Sequence, residues 1–201
     1  TGELMTSATI TDRLVALSRA LIGRIRGGLA QVNVLVSMFF AGMNGSVVAD
    51  TATVGALVLP AMKKAGYPAA FSAAVTGVSS TIGGIIPPSI MMIVLANATE
   101  ISIAALFAAG IVPGILIGVV IMVINHYFAV KYNFERSDQP FSVRRAGKEL
   151  YRSSFALLIP LVLVGSVMGG VASVVEAGAI TALVALFTGC LLYTSDAADE
   201  S

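Results

Sequence analysis

The chain has 201 residues, of which 57% are hydrophobic and 11% are charged, and its mean hydropathy is +0.92. A soluble domain of this length would carry roughly a quarter charged residues, so the composition excludes that class and indicates an all-α, multi-pass membrane protein. The net charge of +1 gives no indication of a nucleic-acid partner, and the single cysteine, Cys190, excludes an intrachain disulfide or a cysteine-rich metal cluster.

The basic residues predict how the chain crosses the membrane. All twelve Lys and Arg residues fall into three patches, within residues 13–26, at Lys63 and Lys64, and within residues 131–152. Short loops rich in Lys and Arg stay in the cytoplasm, so we expect the three patches on one side. The chain between the first two patches must therefore leave that side and return, and residues 65–130 must cross the membrane twice.

Residues 1–26 are predicted to carry an amphipathic arm helix, from Thr9 to Arg26, at the cytoplasmic interface. One face of this helix is apolar and basic residues border it. The apolar residues are Leu14, Leu17, Leu21 and Ile25. A basic amphipathic helix of this kind lies along a membrane surface. It could anchor the chain or link a fixed part to a moving part, and the sequence leaves both interpretations open.

Residues 27–66 are predicted to form a re-entrant helical hairpin. The first apolar arm, Leu29 to Met43, would be about 22 Å long as a helix, which is less than the ~30 Å hydrocarbon core of a bilayer. A second apolar arm runs from Val47 to Met62, and the polar turn at residues 44–46 would then stop inside the membrane. Two thin, tilted spans with a turn outside the membrane are the alternative.

Residues 67–98 are predicted to form one broken transmembrane helix. The segment is too long for a single straight span, and Gly83 to Ser89 contains two glycines and two prolines. Two neighbouring hydrophobic segments broken by Gly or Pro point to the solute and ion site of a secondary transporter. Carbonyl oxygens freed at the break suit a hard cation such as Na⁺, and the N–H groups of the next half-helix suit a carboxylate. A structural kink is the alternative.

The remaining chain is predicted to contain three more transmembrane helices. Residues 99–130 form the first, in which Gly110, Gly114 and Gly118 would let a neighbouring helix approach closely. Residues 131–152 are predicted to be a cytoplasmic basic loop, and residues 153–192 two further transmembrane helices. The tail, residues 193–201, breaks the apolar pattern, and we expect it to belong neither to the fold nor to the family of the rest of the chain.

Polar residues near the two interruptions are the candidates for a site. Asp50 is the only acid in the hairpin, and a charge at the bilayer centre costs at least about 2.5–3.5 kcal/mol, so it should face protein or water. Its carboxylate could bind or help to orient a cation, or it could cap the second arm. Ser79, Ser80 and Thr81 could offer hydroxyl oxygens to a cation, or bond to carbonyls of their own helix.

An enzyme is not predicted. An intramembrane aspartyl protease would need two facing acids, and the hairpin holds one. The sequence contains no metal-ligand cluster and no phosphate-binding loop.

Four ordered motifs, with their spacing, resemble the large membrane subunit of tripartite ATP-independent periplasmic (TRAP) transporters. They are GGLAQVNV at 27–34, GSVVAD at 45–50, LPAMKKAGY at 59–67 and IIPPS at 85–89. The resemblance implies an inverted-repeat elevator transporter of the bacterial inner (plasma) membrane, of which this chain would be the first half. It implies Na⁺-driven uptake of organic acids, with a small membrane subunit and a periplasmic solute-binding protein as partners, and no cofactor other than Na⁺ as coupling ion.

The resemblance also assigns residues to the site. The solute-binding residues that it implies are Asn44, Gly45, Ser46, Pro87, Pro88 and Ser89. The Na⁺-binding residues that it implies are Asn44, Ser46, Ser79, Ser80, Gly83, Gly84 and Ile86, with Asp50 in a structural or ion-orienting role. C4-dicarboxylates, keto acids and sialic acids all remain open as solutes. Another elevator carrier for dicarboxylates or other anions, and a non-transporting membrane scaffold, are the alternative functions.

Overall fold

The computed structural model describes residues 9–22, 25–134 and 143–199. In this part of the chain eight α-helices follow one another, and a short 3₁₀ helix, Thr81–Gly84, separates the fourth from the fifth. They are α1 (Thr9–Ile22), α2 (Gly28–Asn44), α3 (Val47–Lys64), α4 (Ala69–Ser80), α5 (Ile90–Thr99), α6 (Ile103–Lys131), α7 (Val143–Met168) and α8 (Val174–Asp199). The all-helical fold class predicted from the composition is therefore confirmed for the described residues.

Helix α1 packs against α2 and α7. Leu14 and Leu17 are fully buried in these contacts, whereas Leu21 and Ile25 are each 41% exposed. Ile25 lies beyond the end of α1 and so does not extend its apolar face. The predicted apolar face is therefore buried only in its first half.

Helices α2 and α3 form a helical hairpin over the predicted residues, with a turn of only two residues between them. Gly45 adopts a left-handed conformation with φ of 58° at the end of α2, which a glycine adopts without steric cost. Ser46 is extended and caps α3, because its side chain accepts a hydrogen bond from the Ala49 N–H. The arms are about 26 and 27 Å long at 1.5 Å per residue.

The interruption predicted between Gly83 and Ser89 is present. Helix α4 ends at Ser80, the 3₁₀ helix carries the chain to Gly84, and α5 begins at Ile90. Pro87 and Pro88 have no N–H to donate, so the chain cannot continue as an α-helix through them. The broken helix packs along both hairpin arms and along α6.

Helix α6 is the one described helix that is long and apolar enough to cross a membrane. Its 29 residues span about 43 Å at 1.5 Å per residue. Gly110, Gly114 and Gly118 are buried on the face that meets the break and α2. A Cβ atom at Gly110 would lie 2.5 Å from the carbonyl oxygen of Ile85, so the predicted close approach at this glycine face is confirmed.

The basic ends of several elements lie at one end of the helix bundle. An aromatic cluster joins the start of the broken helix to the end of α6: the ring centroids of Tyr67 and Phe134 are 4.6 Å apart, and those of Phe71 and Phe134 are 5.1 Å apart. Gly27, which opens the hairpin, contacts Ala129 near the same end of α6. The hairpin therefore leaves and returns at the end where α6 finishes.

The loop expected over residues 131–152 is shorter than the sequence analysis predicted. Helix α7 begins at Val143, so the second half of that basic stretch is helical. The first turns of α7 contain Arg, Ala, Lys, Glu and Leu, all of which favour a helix, and this preference outweighs the high charge. Helix α7 then packs against α8, whose described helix extends into the expected tail as far as Asp199.

Candidate functional site

The hairpin turn and the helix break are in direct contact. The N–H of Ile90, the first residue of α5, donates a hydrogen bond of 3.2 Å to the Gly45 carbonyl oxygen. Gly45 also packs against the Pro88 carbonyl so closely that a Cβ atom would not fit. On the other side of the turn, a Cβ atom at Gly83 would lie 3.8 Å from the Ser46 carbonyl oxygen. The sequence-predicted partners at the turn and the break are thus brought together.

Two serines cap the helices that start at this contact, and they do so in the same way. The Ser46 hydroxyl accepts a hydrogen bond of 3.4 Å from the Ala49 N–H at the start of α3. The Ser89 hydroxyl accepts one of 3.4 Å from the Met92 N–H at the start of α5. Since helix N-termini carry partial positive charge and unpaired N–H groups, the contact holds two such termini side by side.

The two serines differ in what else they touch. Ser89 is fully buried, and its hydroxyl donates a hydrogen bond of 2.8 Å to the Gly84 carbonyl oxygen. Ser46 is half-buried, and no donor bond of its hydroxyl is found within the described residues. Ser89, which the resemblance placed in the solute site, therefore stabilises the break in this structure, whereas the Ser46 hydroxyl keeps a proton to donate.

The carboxyl group of Asp50 is buried inside the hairpin. It is 1% exposed, and neither carboxyl oxygen has a hydrogen-bond partner within the described residues. The alternative that Asp50 caps α3 is wrong, because Ser46 provides that cap. The hydroxyl groups of Ser37 and Ser80 lie beside the Asp50 carboxyl, although neither meets it in hydrogen-bonding geometry. Because its two oxygens have no hydrogen-bond partner within the described residues, this carboxyl group can bind a cation.

A buried network of side chains ties α2 to α4, and of its members the sequence analysis named only Ser79. Asn33 is fully buried, and its amide group donates to the Thr76 hydroxyl at 2.7 Å. The Ser79 hydroxyl donates to the Asn33 side-chain oxygen at 3.1 Å, and the Ser37 hydroxyl donates to Ser79 at 3.3 Å. The signal in the sequence was spacing, because Asn33 and Ser37 are four residues apart on one face of a largely apolar helix.

The other predicted residues fall into three groups. The Thr81 hydroxyl bonds to the carbonyl of its own turn, at Val78, and so follows the structural alternative. The Ile86 side chain packs on Gly114, and the Val47 side chain covers Gly84. The side chain of Asn44 lies outside the described part of the structure. The described residues contain no group of three or more His, Cys, Asp or Glu that could hold a metal, so hydroxyl, carbonyl and Asp50 oxygens are the available cation ligands.

Comparison with known proteins finds matches along most of the chain. The family model described as the tripartite ATP-independent periplasmic transporter, DctM component, matches residues 1–199. The chain is 35% identical over 195 residues to the sialic acid TRAP transporter large permease protein of Vibrio cholerae serotype O1, which covers 97% of this chain and 45% of that protein. It is 36% identical over 192 residues to the C4-dicarboxylate TRAP transporter large permease protein of Pseudomonas aeruginosa, covering 96% of this chain and 45% of that protein.

A third relative is the 2,3-diketo-L-gulonate TRAP transporter large permease protein of Escherichia coli, 36% identical over 192 residues, or 96% of this chain and 45% of that protein. The chain therefore spans a little under half the length of these relatives. All three are named as permeases and none as an enzyme. The family match includes residues 193–199, which we had expected to lie outside the family.

Proposed function

Because the chain belongs to the family of the tripartite ATP-independent periplasmic transporter DctM component, we propose that it forms the first half of a membrane permease that takes up organic acids together with Na⁺. The contact between the hairpin turn and the broken helix is the observation that carries this proposal. Two helix interruptions that meet in a membrane leave carbonyl oxygens and helix N-termini where an ion and a solute can bind.

The hairpin enters the bilayer from the cytoplasmic side and ends inside the bilayer. Its first arm, about 26 Å long, is shorter than the ~30 Å hydrocarbon core. Its turn contacts residues near the middle of the 67–98 segment, and both of its ends lie beside the end of α6. The basic patches then face the cytoplasm of a bacterial cell, and the permease is a multi-pass protein of the inner membrane.

The cation binds next to the hairpin turn, among oxygens contributed by both interruptions. Ser46, Gly83 and Asp50 lie on the two sides of this contact, and Ser80 adds a fully buried hydroxyl group without a hydrogen bond within the described residues. Oxygen atoms are the ligands that hard cations prefer. Because a buried carboxyl group without a partner is costly, binding of Na⁺ there stabilises the closed contact between turn and break.

The solute is an organic acid whose carboxylate binds at the paired helix N-termini. The relatives are named for sialic acid, C4-dicarboxylates and 2,3-diketo-L-gulonate, which all carry a carboxylate group. The first N–H groups of α3 and α5 and the free Ser46 proton can donate to such a group. The hairpin and the broken helix then move together as one body, in an elevator mechanism, with a small membrane subunit and a periplasmic solute-binding protein as partners.

Replacement of Ser46 and of Ser89 by alanine tests the site. Both variants lose an N-cap hydroxyl, which costs about 1 kcal/mol of stability each. Ser89→Ala also loses the buried hydrogen bond to the Gly84 carbonyl, so it should be the less stable of the two. Only Ser46→Ala should also raise the Na⁺ concentration that gives half-maximal uptake, by roughly tenfold, because a contact to a charged ligand is lost. Uptake of a labelled organic acid by the complete transport system in proteoliposomes, over a series of Na⁺ concentrations, measures this difference.

Ser89→Ala serves as the matched control in that series. Uptake that is unaffected by Na⁺ in the unmodified protein would contradict the coupling, and equal behaviour of the two variants would contradict the assignment of Ser46. A protein that assembles in the membrane but moves no organic acid at all would support the scaffold alternative instead.

Cysteine labelling tests the topology. After Cys190 is replaced by serine, single cysteines at Lys63, Asn97 and Val48 report on the inner side, the outer side and the hairpin turn. A membrane-impermeant maleimide applied outside should label position 97, leave position 63 unlabelled, and label position 48 far more slowly than position 97. Labelling of position 48 as fast as position 97 would show that the hairpin crosses the membrane completely.

A further inference from the structure

The direction of each hydrogen bond in the buried network can be worked out from the number of protons that each group carries. The Thr76 hydroxyl donates its one proton to the Ser72 carbonyl at 2.9 Å and accepts the bond from Asn33. The Ser79 hydroxyl lies 3.1 Å from two groups that can only accept, the Asn33 side-chain oxygen and the Thr76 carbonyl. The single proton of Ser79 is therefore used on one of these two oxygens.

This direction determines what Ser37 presents to Asp50. Since the proton of Ser79 is used, the 3.3 Å contact between the two serine hydroxyls has Ser37 as donor and Ser79 as acceptor. Ser37 has no second proton, so it can offer only lone pairs toward the Asp50 carboxyl beside it. Both oxygens of that carboxyl are buried and lack hydrogen bonds within the described residues.

We propose that Ser37 is a further cation ligand beside Asp50, and that Ser79 is a positioning residue that keeps the Ser37 lone pairs turned toward the cation. The inference rests on the proposed Na⁺ coupling. Oxygen lone pairs that face a carboxylate repel it, and a cation between them removes this repulsion. Ser80, which has a fully buried hydroxyl without a hydrogen bond within the described residues, can turn a lone pair to the same place.

Ser79 then acts on the cation only through Ser37. The sequence-based assignment made it a direct Na⁺ ligand, but its hydroxyl is surrounded by Asn33, Thr76 and Ser37. When Ser79 is absent, the Ser37 proton is released and can bond to the Asp50 carboxyl. That bond competes with the cation, so Na⁺ affinity falls even though Ser79 never touches Na⁺.

A double-mutant cycle tests this relation in the complete transport system. Ser79→Ala should raise the Na⁺ concentration for half-maximal uptake by roughly 5- to 10-fold, since a hydrogen bond to the carboxyl must break before Na⁺ binds. Ser37→Ala should raise it at least as much, and the variant with both substitutions should equal Ser37→Ala alone. Ser79→Thr keeps the hydroxyl and should keep the Na⁺ affinity of the unmodified protein.

Ser72→Ala is the matched control, because Ser72 is a fully buried serine on the same helix whose hydroxyl bonds to its own helix turn at Pro68. Its Na⁺ dependence should not change.

Additive effects of Ser37→Ala and Ser79→Ala, or an unchanged Na⁺ dependence in Ser79→Ala, would overturn the proposal. If Ser79→Ala transports too little, the Na⁺-induced rise in Tm of the purified permease provides the same comparison. Uptake by the unmodified protein that does not require Na⁺ would instead contradict the proposed function.

Discussion

Substitution of Gly45 by alanine should strongly reduce uptake while most of the helices still form. The new Cβ atom would collide with the Pro88 carbonyl, and the residue would have to hold a φ of 58°. The conformation costs roughly 1–2 kcal/mol and the overpacking roughly 1–3 kcal/mol. The turn would separate from the break, so the hydrogen bond from Ile90 to Gly45 would be lost. Uptake in proteoliposomes should fall by at least about tenfold, since each 1.4 kcal/mol is a factor of ten.

Gly66→Ala is the control for this experiment. Gly66 also has a positive φ, of 78°, but an added Cβ atom would meet nothing within 4 Å. The control variant therefore carries the conformational cost without the collision, and it should retain uptake at a slightly lower Tm. Equal loss of uptake in the two variants would show that the backbone conformation, and not the contact between turn and break, explains the effect.

Substitutions on the glycine face of α6 should have graded effects, with Gly110→Ala the most severe. At Gly110 the added Cβ atom would lie 2.5 Å from the Ile85 carbonyl oxygen, which belongs to the backbone of the break and cannot rotate away. At Gly118 it would lie 2.6 Å from the sulfur of Met38, which sits on a flexible side chain. We expect Gly110→Ala to lose roughly 1–3 kcal/mol of stability and Gly118→Ala distinctly less.

The Tm of the purified permease and its uptake rate check this order. Gly178→Ala is the control, because Gly178 lies in α8 and an added Cβ atom would meet nothing within 4 Å. An alanine in that helix should raise Tm slightly, as glycine costs roughly 0.5–1 kcal/mol in a helix interior. A Gly110→Ala variant as stable and active as Gly178→Ala would show that α6 does not hold the break in place.

Sequence reasoning succeeded where a structural feature depends on a few neighbouring residues. Two glycines and two prolines between Gly83 and Ser89 cannot continue a helix, so the break could be predicted without any knowledge of its surroundings. Gly45 and Ser46 likewise favour a turn followed by a helix cap. The start of α7 was missed for the opposite reason, because charged residues favour both a solvated loop and a surface helix, and only contacts with α1 and α8 distinguish the two.

The polar residues were harder to assign than the breaks. Asn33 and Ser37 lie in a largely apolar helix. The role of a polar residue there cannot be assigned until its hydrogen-bond partner on another helix is known. Ser46 and Ser89 have the same cap geometry, and the structure distinguishes them because the Ser89 hydroxyl also donates to the Gly84 carbonyl. Asp50 could be a cap or an ion ligand until the structure showed that another residue makes the cap.

The amino-acid sequence by itself determined the class of protein, the family and the two positions where helices stop, because hydrophobicity, charge bias and the absence of a proline N–H act locally. Only the tertiary structure decided that the turn at Gly45 lies against Pro88, and that Ser37 and Ser79, on different helices, are joined by a hydrogen bond. Those contacts join residues far apart in the chain, and the direction of a hydrogen bond depends on every partner that surrounds it.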